Sequence, residues 1–496
     1  MAVDSKHPSY TKHVRDWQAC RDVYEGQSAV VCRDGGKRYL PPTQGQLIDM
    51  KEKPEIGKAN YEAYRDRALM GGFFSNAIDL FLGLLWHGPT KFELGPLESL
   101  FGENRPATFG GETLTQLLRS MHVEAMKTGR LGLIGDLPGG EETTAAPQPY
   151  IELYETEQII NWDDGGKDLP RSKLNLVVLD ESTWERTADL GWEHKCYYRV
   201  LWLGKLAQNE ATGTYRAGKV EGSISFSPTS LEQPNVRLKP LDEIPFVFVS
   251  PKSLTTRIEP PPLIDLVRRV LALYRMDADY RQHLHMCGQD TLVTSGASED
   301  EVKSVGAGAH IALQNPDAKA YFIGVESQGL AETRAAIEND QALCAKNAGE
   351  LLSDNSKQRE SGDALSERTG RKGASLNDIA DMCAEGLQRM LRILAKWLGH
   401  SPAEVEQIKV IPNKKFGTPE FKADELLKLV QTAVLNGPIT IKSIYDWQVA
   451  HGFPAAPTWE DYQKEKRSEL ETMADLLPMP PPKPGDDDEE EDDAAE

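Results

Sequence analysis

Motifs for nucleotide hydrolysis and for covalent catalysis are missing from this 496-residue sequence. A phosphate-binding loop needs G-x-x-x-x-G-K followed by Ser or Thr, whereas TGRKGAS at 369–375 holds these residue types in the wrong order. The run LGLIGD at 131–136 ends in an aspartate like a Walker B strand, but apolar strands ending in Asp are common. No G-x-S-x-G nucleophile elbow occurs. The sequence therefore offers no candidate catalytic residues, and we expect a protein that is not an enzyme.

Cysteines are few and scattered. The six thiols form no C-x-x-C pair and no cluster with histidine, which argues against a disulfide scaffold or a structural zinc site and fits a reducing compartment. His283 and His285 stand two residues apart, so a helix would place them on different sides and they cannot form an i, i+4 ligand pair. We expect no metal and no cofactor.

Long apolar runs are also missing. The most apolar window, Phe73–Trp86, is about 14 residues long and carries Asp79, so it is too short to span a bilayer and reads as a buried helix. The opening MAVDSKHPSY has no apolar core, and we expect no signal peptide. A length of 496 residues with 39% hydrophobic and 27% charged residues suggests a soluble chain of roughly two to four lobes.

Basic residues are outnumbered by acidic ones. The formal net charge is −21, and nine acidic residues lie in Asp486–Glu496, so the rest of the chain is acidic as well. Affinity for nucleic acid comes from Lys and Arg that displace counterions, so such a chain is a poor general DNA binder. An acidic surface does let a phosphate backbone pass with little adhesion, as a conduit requires.

The most informative feature present is a pair of long helical patterns, 329–352 and 375–398, joined by a charged loop. In the second pattern apolar residues recur every three or four positions from Leu376 to Trp397, which makes one continuous stripe. We predict that this helix begins at Ser375, with Asp378 three residues later completing a capping box.

Helical patterns open the chain and strands follow. We expect helices at 10–25, in NYEAYRDRALM, at 73–86 and at 113–128, with a loop ending YLPPTQGQ after the first. Short β-branched and aromatic runs between about 150 and 248 predict an antiparallel sheet lobe. A long helix at Leu263–Met286 and short strands TLVTS, HIALQ and KAYFIGV come next. After 399 we expect a strand, IKVIP, and helices at 419–435, 440–450 and 458–475.

This order of elements, with its local motifs, resembles the portal proteins of tailed bacteriophages. HPSYTKHVRDWQACRDVYEGQSAV, KRYLPP and YEAYRDRALMGGFFSNAIDLFLGLLW are similar to the N-terminal block of one portal subfamily, and GRLGLIGDLPG with PYIELYETEQIINW to its wing strands. PPLIDLVRRVLALYRMDADYRQHLHMCGQDTLVTSG is similar to the helix that runs down the stem into the clip. SGDAL and SLNDIADMCAEGLQRMLRILAKWLG are similar to the tunnel loop and long wing helix. The resemblance covers most of residues 7–400 and rests on order and spacing.

The resemblance implies an α+β, portal-type fold with an α/β wing, long stem helices, a small β-rich clip and a helical crown. The implied divisions are a wing lobe 1–262, stem helix 263–286, clip 287–328, second stem helix 329–352, tunnel loop 353–374, long wing helix and following strand 375–420, crown 421–477 and disordered Pro-rich acidic tail 478–496.

The resemblance also implies a function. Portal subunits form a ring of about 12 copies at one capsid vertex, through which double-stranded DNA is packaged and ejected. The implied partners are other copies of the chain, the major capsid protein, the terminase motor, the head–tail adaptor, scaffolding protein and non-specifically passing DNA, with no membrane. The implied location is the virion, with assembly in the host cytoplasm.

Two sets of site residues follow from this mapping. The basic residues of the tunnel loop are expected to face DNA: Lys357, Arg359, Arg368, Arg371 and Lys372. Four acidic residues in the same loop nearly cancel them, so a solvated loop is the plain alternative. The stem stripes are expected to pack between subunits because one chain could not bury them: Leu263, Val267, Val270, Tyr274, Ile337, Cys344 and Leu351.

Two other classes of protein stay open. A minor capsid or head-completion protein would share the acidic, cysteine-poor composition but has no need for long helices around a β insert. A packaging-linked ATPase or nuclease would require a Walker motif or a metal-chelating set of carboxylates, and neither is visible in the sequence.

Overall fold

The computed structural model describes residues 2–137, 148–165, 174–203, 215–222, 241–288, 291–296, 316–323, 329–349, 362–413, 442, 445, 458–465 and 467. The chain divides into two compact units, 1–416 and 417–496. Helix and sheet are mixed in the first unit, which confirms the α+β class.

Seven helices and one short strand precede the sheets in the described part of the N-terminal lobe. The helices are α1 Pro8–Glu25, α2 Gln27–Cys32, α3 Gln44–Glu52, α4 Pro54–Arg67, α5 Phe73–Leu85, α6 Glu98–Phe101 and α7 Leu114–Thr128, and the strand is β1 Lys91–Glu93. Helix α7 begins at the capping box of Thr113 and Gln116 and ends at Gly129, whose φ of 73° is the left-handed conformation that glycine adopts most easily. The expected helices are therefore confirmed.

Antiparallel strands form the next lobe, as the sequence predicts. They are β2 Leu131–Asp136, β3 Tyr150–Glu155, β4 Ile159–Asp163, β5 Leu176–Asp180, β6 Thr183–Arg186, β7 Trp192–Lys195, β8 Tyr197–Leu203, β9 Tyr215–Glu221 and β10 Phe246–Val249. One described sheet has the order β10-β2-β3 and another β4-β5-β8-β9, while β6 and β7 pair with each other.

The C-terminal part of the first unit is built on three long helices. They and their neighbouring elements are α8 Ile264–Cys287, β11 Thr291–Ser295, β12 Lys319–Ile323, α9 Leu330–Gly349, α10 Gly362–Trp397, α11 Pro402–Glu406 and β13 Lys409–Ile411. The expected strands TLVTS and KAYFI are confirmed as β11 and β12, whereas HIALQ lies outside the described residues.

Helix α10 supplies one wall of the core. Its stripe from Leu376 to Trp397 is buried against β2, β10 and α7, which confirms the predicted apolar face. Glycines allow the close approach: a Cβ on Gly386 would overlap Val249 of β10, and one on Gly135 of β2 would lie 2.8 Å from the Leu394 side chain. The helix and the sheet are therefore in backbone-level contact.

The start of α10 corrects the sequence-based prediction. The helix begins at Gly362, so 362–374 is helical where we expected loop, and Ser375 with Asp378 stands inside the helix instead of capping it. Gly370 and Gly373 lie in this part of the helix, and each costs about 1 kcal/mol there. A helix already nucleated by its packed part, however, extends without the cost of a new nucleus.

Two more elements were not expected. Helix α3, Gln44–Glu52, begins in the last residues of the predicted YLPPTQGQ loop, where the pair of prolines masked a capping box formed by Thr43 and Gln46. Strands β6 and β7 form a hairpin without a buried residue, so they lack the alternation that marks a half-buried strand. The expected crown helices lie largely outside the described residues.

Candidate subunit interface

Helix α8 is the backbone of the candidate site. Pro260, Pro261 and Pro262 end the preceding segment, and Asp265 in the first turn and His285 in the last turn complement the helix dipole. One face of its first half is buried in the lobe formed by the N-terminal helices. The pattern fixes which side of the helix faces the core.

Hydrogen bonds tie the middle of α8 to the N-terminal helices. The Arg275 guanidinium donates to the Tyr39 carbonyl at 2.7 Å, and Asp277 accepts from the Leu69 amide at 2.7 Å. Tyr64 donates to Asp279 at 2.6 Å, and burial together with this carboxylate raises the pKa of Tyr64 above its ordinary value. These contacts hold α8 as far as its fifth turn.

The last turns of α8 leave the lobe. Arg67 of α4 donates a hydrogen bond of 2.8 Å to Gln282, and Leu284 beyond it is 51% exposed. Met286 is exposed to a similar degree. The helix therefore carries an uncovered apolar tip into the hairpin that follows.

Strands β11 and β12 form that hairpin. They pair antiparallel in a single register, with Val293 opposite Tyr321 and Ser295 opposite Lys319. Among the described residues each strand pairs only with the other, so each keeps an outer edge of backbone donors and acceptors. A two-stranded hairpin is marginally stable in water by itself, which makes these edges and Tyr321 candidates for contact with another chain.

Helix α9 returns antiparallel to α8. Arg269 near the start of α8 pairs with Asp340 of α9 at 3.1 Å, and Arg334 lies near Tyr280 further along, so the two helices run in opposite directions. Ile337 and Cys344 are the buried residues on the described part of α9, and burial raises the pKa of the Cys344 thiol. Most of the remaining surface of α9 is exposed.

The outward face of α9 is rich in small side chains. Ala331, Ala335, Ala342 and Ala345 are exposed and recur at helical spacing. Small residues let another helix approach closely. Together with the α8 tip and the hairpin edges, this face is the surface that we define as the candidate interface.

The stem stripe was expected to pack between subunits, but its described residues lie inside a single chain. Val267, Val270 and Tyr274 are buried within the single chain, as are Ile337 and Cys344, while Leu263 is partly buried and Leu351 lies outside the described residues. The expectation that one chain could not bury this stripe is therefore wrong. The reason is that α1, α4 and α5 pack on the apolar face of α8, and the sequence pattern did not show which elements would cover that face.

The predicted DNA-facing residues are only partly described. Lys357 and Arg359 lie outside the described residues, and Arg368, Arg371 and Lys372 belong to the first turns of α10. Their assignment to DNA stays a prediction.

Two further features were not found from the sequence. Arg21 contacts carboxylates that follow it by more than a hundred positions, a pairing that no local pattern reveals. The hairpin of β6 and β7 exposes Trp184 and Trp192, and the run TWER…WEHK around a Gly-containing turn was the available signal.

The described residues offer neither a grouped set of metal ligands nor a membrane-spanning helix. No group of three His, Cys, Asp or Glu side chains there is placed to hold a metal ion. Among the described helices, none is long and apolar enough to cross a bilayer.

Comparison with known proteins gives a family match and distant likenesses, of which two are described here. Residues 262–398 match a family described as a domain of unknown function, DUF4055, and these bounds enclose α8 to α10. An uncharacterized glycosyltransferase of Methanocaldococcus jannaschii is 24% identical over 148 residues, which cover 26% of this chain and 36% of that protein. The chain thus spans about a third of that relative.

The second likeness is to a chain of the solved structure "Neck of empty GTA particle computed with C6 symmetry". The sequence identity is 12% and the TM-score 0.35, and the match covers 78% of this chain and 91% of that one. The family match, in contrast, is confined to the segment that holds α8, the β11–β12 hairpin, α9 and α10.

Proposed function

We propose that this chain is the subunit of a portal-type ring. In this proposal the ring stands at a capsid vertex, passes double-stranded DNA during packaging and ejection, and docks the terminase motor and later the head–tail adaptor. The observation that carries the proposal is the antiparallel pair α8–α9 with a two-stranded hairpin at its far end, attached to an α/β lobe. This order of parts is the one that the motifs in the sequence suggested.

The outer edges of the hairpin, which no other described strand pairs, support assembly into a ring. Pairing β11 of one subunit with β12 of the next would satisfy the outer backbone groups of both strands. Such an interface is heterologous, since two different surfaces meet, and heterologous contacts generate closed rings when the rotation closes. A small hairpin that is marginal alone then becomes part of a continuous belt.

The charge of the chain supports a conduit. With a net charge of −21 the protein repels the DNA backbone, so contacts inside a channel stay weak and exchange easily. Tight binding would stall a moving duplex. In this proposal an acidic chain keeps most of the channel from adhering to DNA, and a few basic residues at one constriction give the weak contacts that guide it.

The first experiment is the solution mass of the purified protein. Light scattering behind a sizing column, with negative-stain images of the peak, is expected to give rings with a central hole and a mass of about 12 times 55.1 kDa. A stable dimer or trimer without rings contradicts the proposal and favours the minor capsid or head-completion protein. If the isolated chain is monomeric, the same images are taken after co-expression with capsid and scaffolding proteins, where the absence of rings again contradicts it.

A variant at the α8 tip tests the interface directly. Leu284→Glu is expected to lower the ring fraction, because Leu284 is exposed in the single chain and covered in the ring. Leu69→Glu is the matched control, since Leu69 is 55% exposed but lies in the connection between α4 and α5. Equal ring fractions for both variants would exclude the α8 tip from the interface.

We also propose that the chain is not an enzyme. The sequence carries no nucleotide-binding motif, and the conduit needs no reaction of its own because the motor supplies the energy. A nucleotide hydrolysis assay on purified rings is expected to show no turnover above a mock preparation. Turnover that copurifies with the ring peak would support the packaging-linked ATPase.

A further inference from the structure

The first residues of the chain lie against the sheet of β4, β5, β8 and β9, and we call residues 2–7 the N-terminal strap. Among the described strands β4 pairs only with β5, so no strand lies beside its other edge. The strap lies at that edge, where the His7 amide donates to the Ile160 carbonyl at 2.9 Å. Val3 of the strap is buried in the core. The strap therefore covers part of a sheet edge that would otherwise face water.

His7 is both the last residue of the strap and the N-cap of α1. Its Nδ1 atom accepts a hydrogen bond from the Ser9 amide at 3.1 Å, and its ring stacks on Trp162 of β4 with 4.1 Å between ring centroids. Helix N-caps are usually Ser, Thr, Asp or Asn, whose side-chain oxygens accept such a bond throughout the neutral pH range. An imidazole can accept it only while Nδ1 carries no proton. The cap of α1 therefore depends on the protonation state of His7.

Three charged groups act on His7 from the elements packed around it. Arg130 stands just before β2, and its guanidinium lies 4.2 Å from the centroid of the Trp162 indole. Asp163 ends β4 and Asp164 follows it. Burial and the positive charge of Arg130 lower the pKa of His7, and the two aspartates do not offset this effect. The indole would attract an imidazolium, but Arg130 already places a cation on the same ring.

Protonation of His7 would disturb this arrangement in two ways. Nδ1 would become a donor that faces the Ser9 N–H group, so the cap bond would be lost. A second cation would also lie near Arg130, whose Nε and Nη1 atoms are buried and have no hydrogen-bond partner among the described residues. The closed strap is therefore most stable above the ordinary imidazole pKa of 6.5, and its stability falls as the pH decreases below that value.

We propose that the N-terminal strap is a pH-sensitive switch, in which proton uptake by His7 releases residues 2–7 and uncovers the outer edge of β4 together with Trp162. The rest of α1 stays in place, because Trp17, Cys20 and Val23 further along the helix are buried. The inference concerns a single chain, so it is independent of the proposed ring.

Hydrogen exchange of the purified full chain tests the release. Amide protection, corrected for the intrinsic effect of pH on exchange, is compared at about pH 7.5 and about pH 5.5, the second of which is still above the isoelectric point near 5.0. Protection in peptides that contain His7 and Ser9 is expected to be about threefold lower at the lower pH. Equal protection at the two values overturns the inference.

Three histidine variants identify the group that titrates. His7→Asn is expected to abolish the pH dependence of protection, because asparagine caps a helix through an oxygen that does not titrate. His13→Asn, on the same helix, and His122→Leu, in α7, are expected to retain it. A pH dependence that persists in His7→Asn, or that is lost in either of the other two variants, assigns the effect to another group and overturns the inference.

Hydroxyl-radical modification measures whether β4 is uncovered. Trp162 is 5% exposed and Trp397 of α10 is 4% exposed, so Trp397 is the matched reference. The ratio of modification at Trp162 to that at Trp397 is expected to rise about twofold or more from about pH 7.5 to about pH 5.5, and to stay constant in His7→Asn. A constant ratio in the unchanged chain means that the strap remains on β4, which contradicts the proposed switch.

Discussion

At the residue scale, Arg21 joins three elements of the N-terminal lobe. Its guanidinium contacts Glu124 of α7 at 2.6 Å, Glu155 of β3 at 2.7 Å and Glu157 in the following turn at 2.7 Å, and Lys127 adds a contact of 3.2 Å to Glu124. Burial alone would raise the pKa of Glu124, but Arg21 and Lys127 outweigh it and lower the pKa. The three carboxylates can stay close together and ionised because the Arg21 guanidinium neutralises part of their charge.

Arg21→Met is expected to destabilise the chain by about 2–4 kcal/mol at pH 7, because the buried Glu124 and Glu157 and the half-exposed Glu155 then share the site with one lysine. Urea unfolding followed by circular dichroism measures the change. Arg334→Met is the control, since its pair with Glu338 lies on the surface of α9 and its loss is expected to leave the midpoint nearly unchanged. A similar midpoint for both variants would show that the cluster contributes little.

His122 is a second buried group with consequences for stability. It is 3% exposed, stacks edge-on with Trp86 at 5.8 Å between ring centroids, and among the described residues neither ring nitrogen has a hydrogen-bond partner. Burial lowers the pKa of His122 to about 4. The folded chain therefore holds this side chain neutral at pH values where an unfolded chain protonates it.

The pKa of His122 gives a prediction with a definite sign. Between about pH 4 and 6.5 the unfolded state binds more protons than the folded state, so the free energy of unfolding rises with pH by about 2–3 kcal/mol across this interval. His122→Leu is expected to remove that part of the slope and to stabilise the chain at pH 5. His87→Leu, at an exposed position, is expected to keep it. Equal slopes in both variants would contradict a buried neutral His122.

The sequence identified neither Arg21 nor His122. Both lie on amphipathic helices that it did predict, so their environment depends on which distant element packs against them. The partners of Arg21 come from α7 and the β3 turn, more than a hundred residues away. Periodicity reports the face of a helix and says nothing about the chemistry opposite it.

At the element scale, contact between α10 and the sheet determines which glycines can change. Gly386 faces β10, where an added Cβ would overlap Val249, whereas nothing lies within 4 Å of a Cβ added to Gly83 in the last turn of α5. Both are helical glycines, so intrinsic propensity alone predicts the same gain for both on substitution by alanine.

Packing predicts opposite outcomes for these two positions. Gly83→Ala is expected to stabilise the chain by about 0.5–1 kcal/mol, because alanine loses less entropy on folding. Gly386→Ala is expected to destabilise it by about 1–3 kcal/mol through overpacking against Val249. Thermal or urea unfolding of the two variants side by side checks the prediction, and a gain at both positions would mean that the helix can move off the sheet.

Burial of α8 within the chain determines the expected effect of Val270→Asp. Val270 is 1% exposed, so an unpaired carboxylate there is expected to cost more than about 4 kcal/mol and to give insoluble or unfolded protein instead of soluble monomers. Soluble yield and circular dichroism measure this, with Leu284→Glu as the soluble comparison. A folded, monomeric Val270→Asp protein would instead indicate that the stripe packs between subunits.

The sequence predicted most long elements, and it missed those whose folded state depends on contact with another element. The helices that became α1, α7, α8 and α9 and the antiparallel strands follow from periodicity and turn residues. The first turns of α10 carry no apolar stripe, and their helicity comes from continuity with the packed part. Strands β11 and β12 were predicted, but the buried state of Val267 and Val270 was not, because a stripe does not reveal which element covers it.

At the scale of the whole molecule, the excess of acidic residues predicts how the chain would interact with DNA. A net charge of −21 gives repulsion at every surface that lacks a local basic cluster, and salt screens this repulsion. Binding to free duplex and passage of duplex through a ring are thus different properties. Only the second needs the chain to surround the DNA.

Free duplex is therefore expected to bind the purified protein more weakly than the roughly 10⁻⁴–10⁻⁶ M of ordinary non-specific DNA binders at physiological salt. Deleting Asp486–Glu496, which holds nine carboxylates, is expected to strengthen binding at low salt and to have little effect at high salt. Fluorescence anisotropy with a labelled duplex measures both. A tail of the same length with asparagine and glutamine is the control for length, and tight binding by the full chain would contradict an acidic conduit.

The pairing of β1 with β13 has a consequence for synthesis. Phe92 lies opposite Val410, and α10 covers β2 and β10, so the lobe that starts first along the chain is completed by elements made roughly 300 residues later. While the ribosome is still translating, the apolar side of the β10-β2-β3 sheet stays open to water and to other nascent chains. Because α10 is synthesised late, we expect the nascent chain to need chaperones during translation. Truncated chains that end before Gly362 are expected to aggregate.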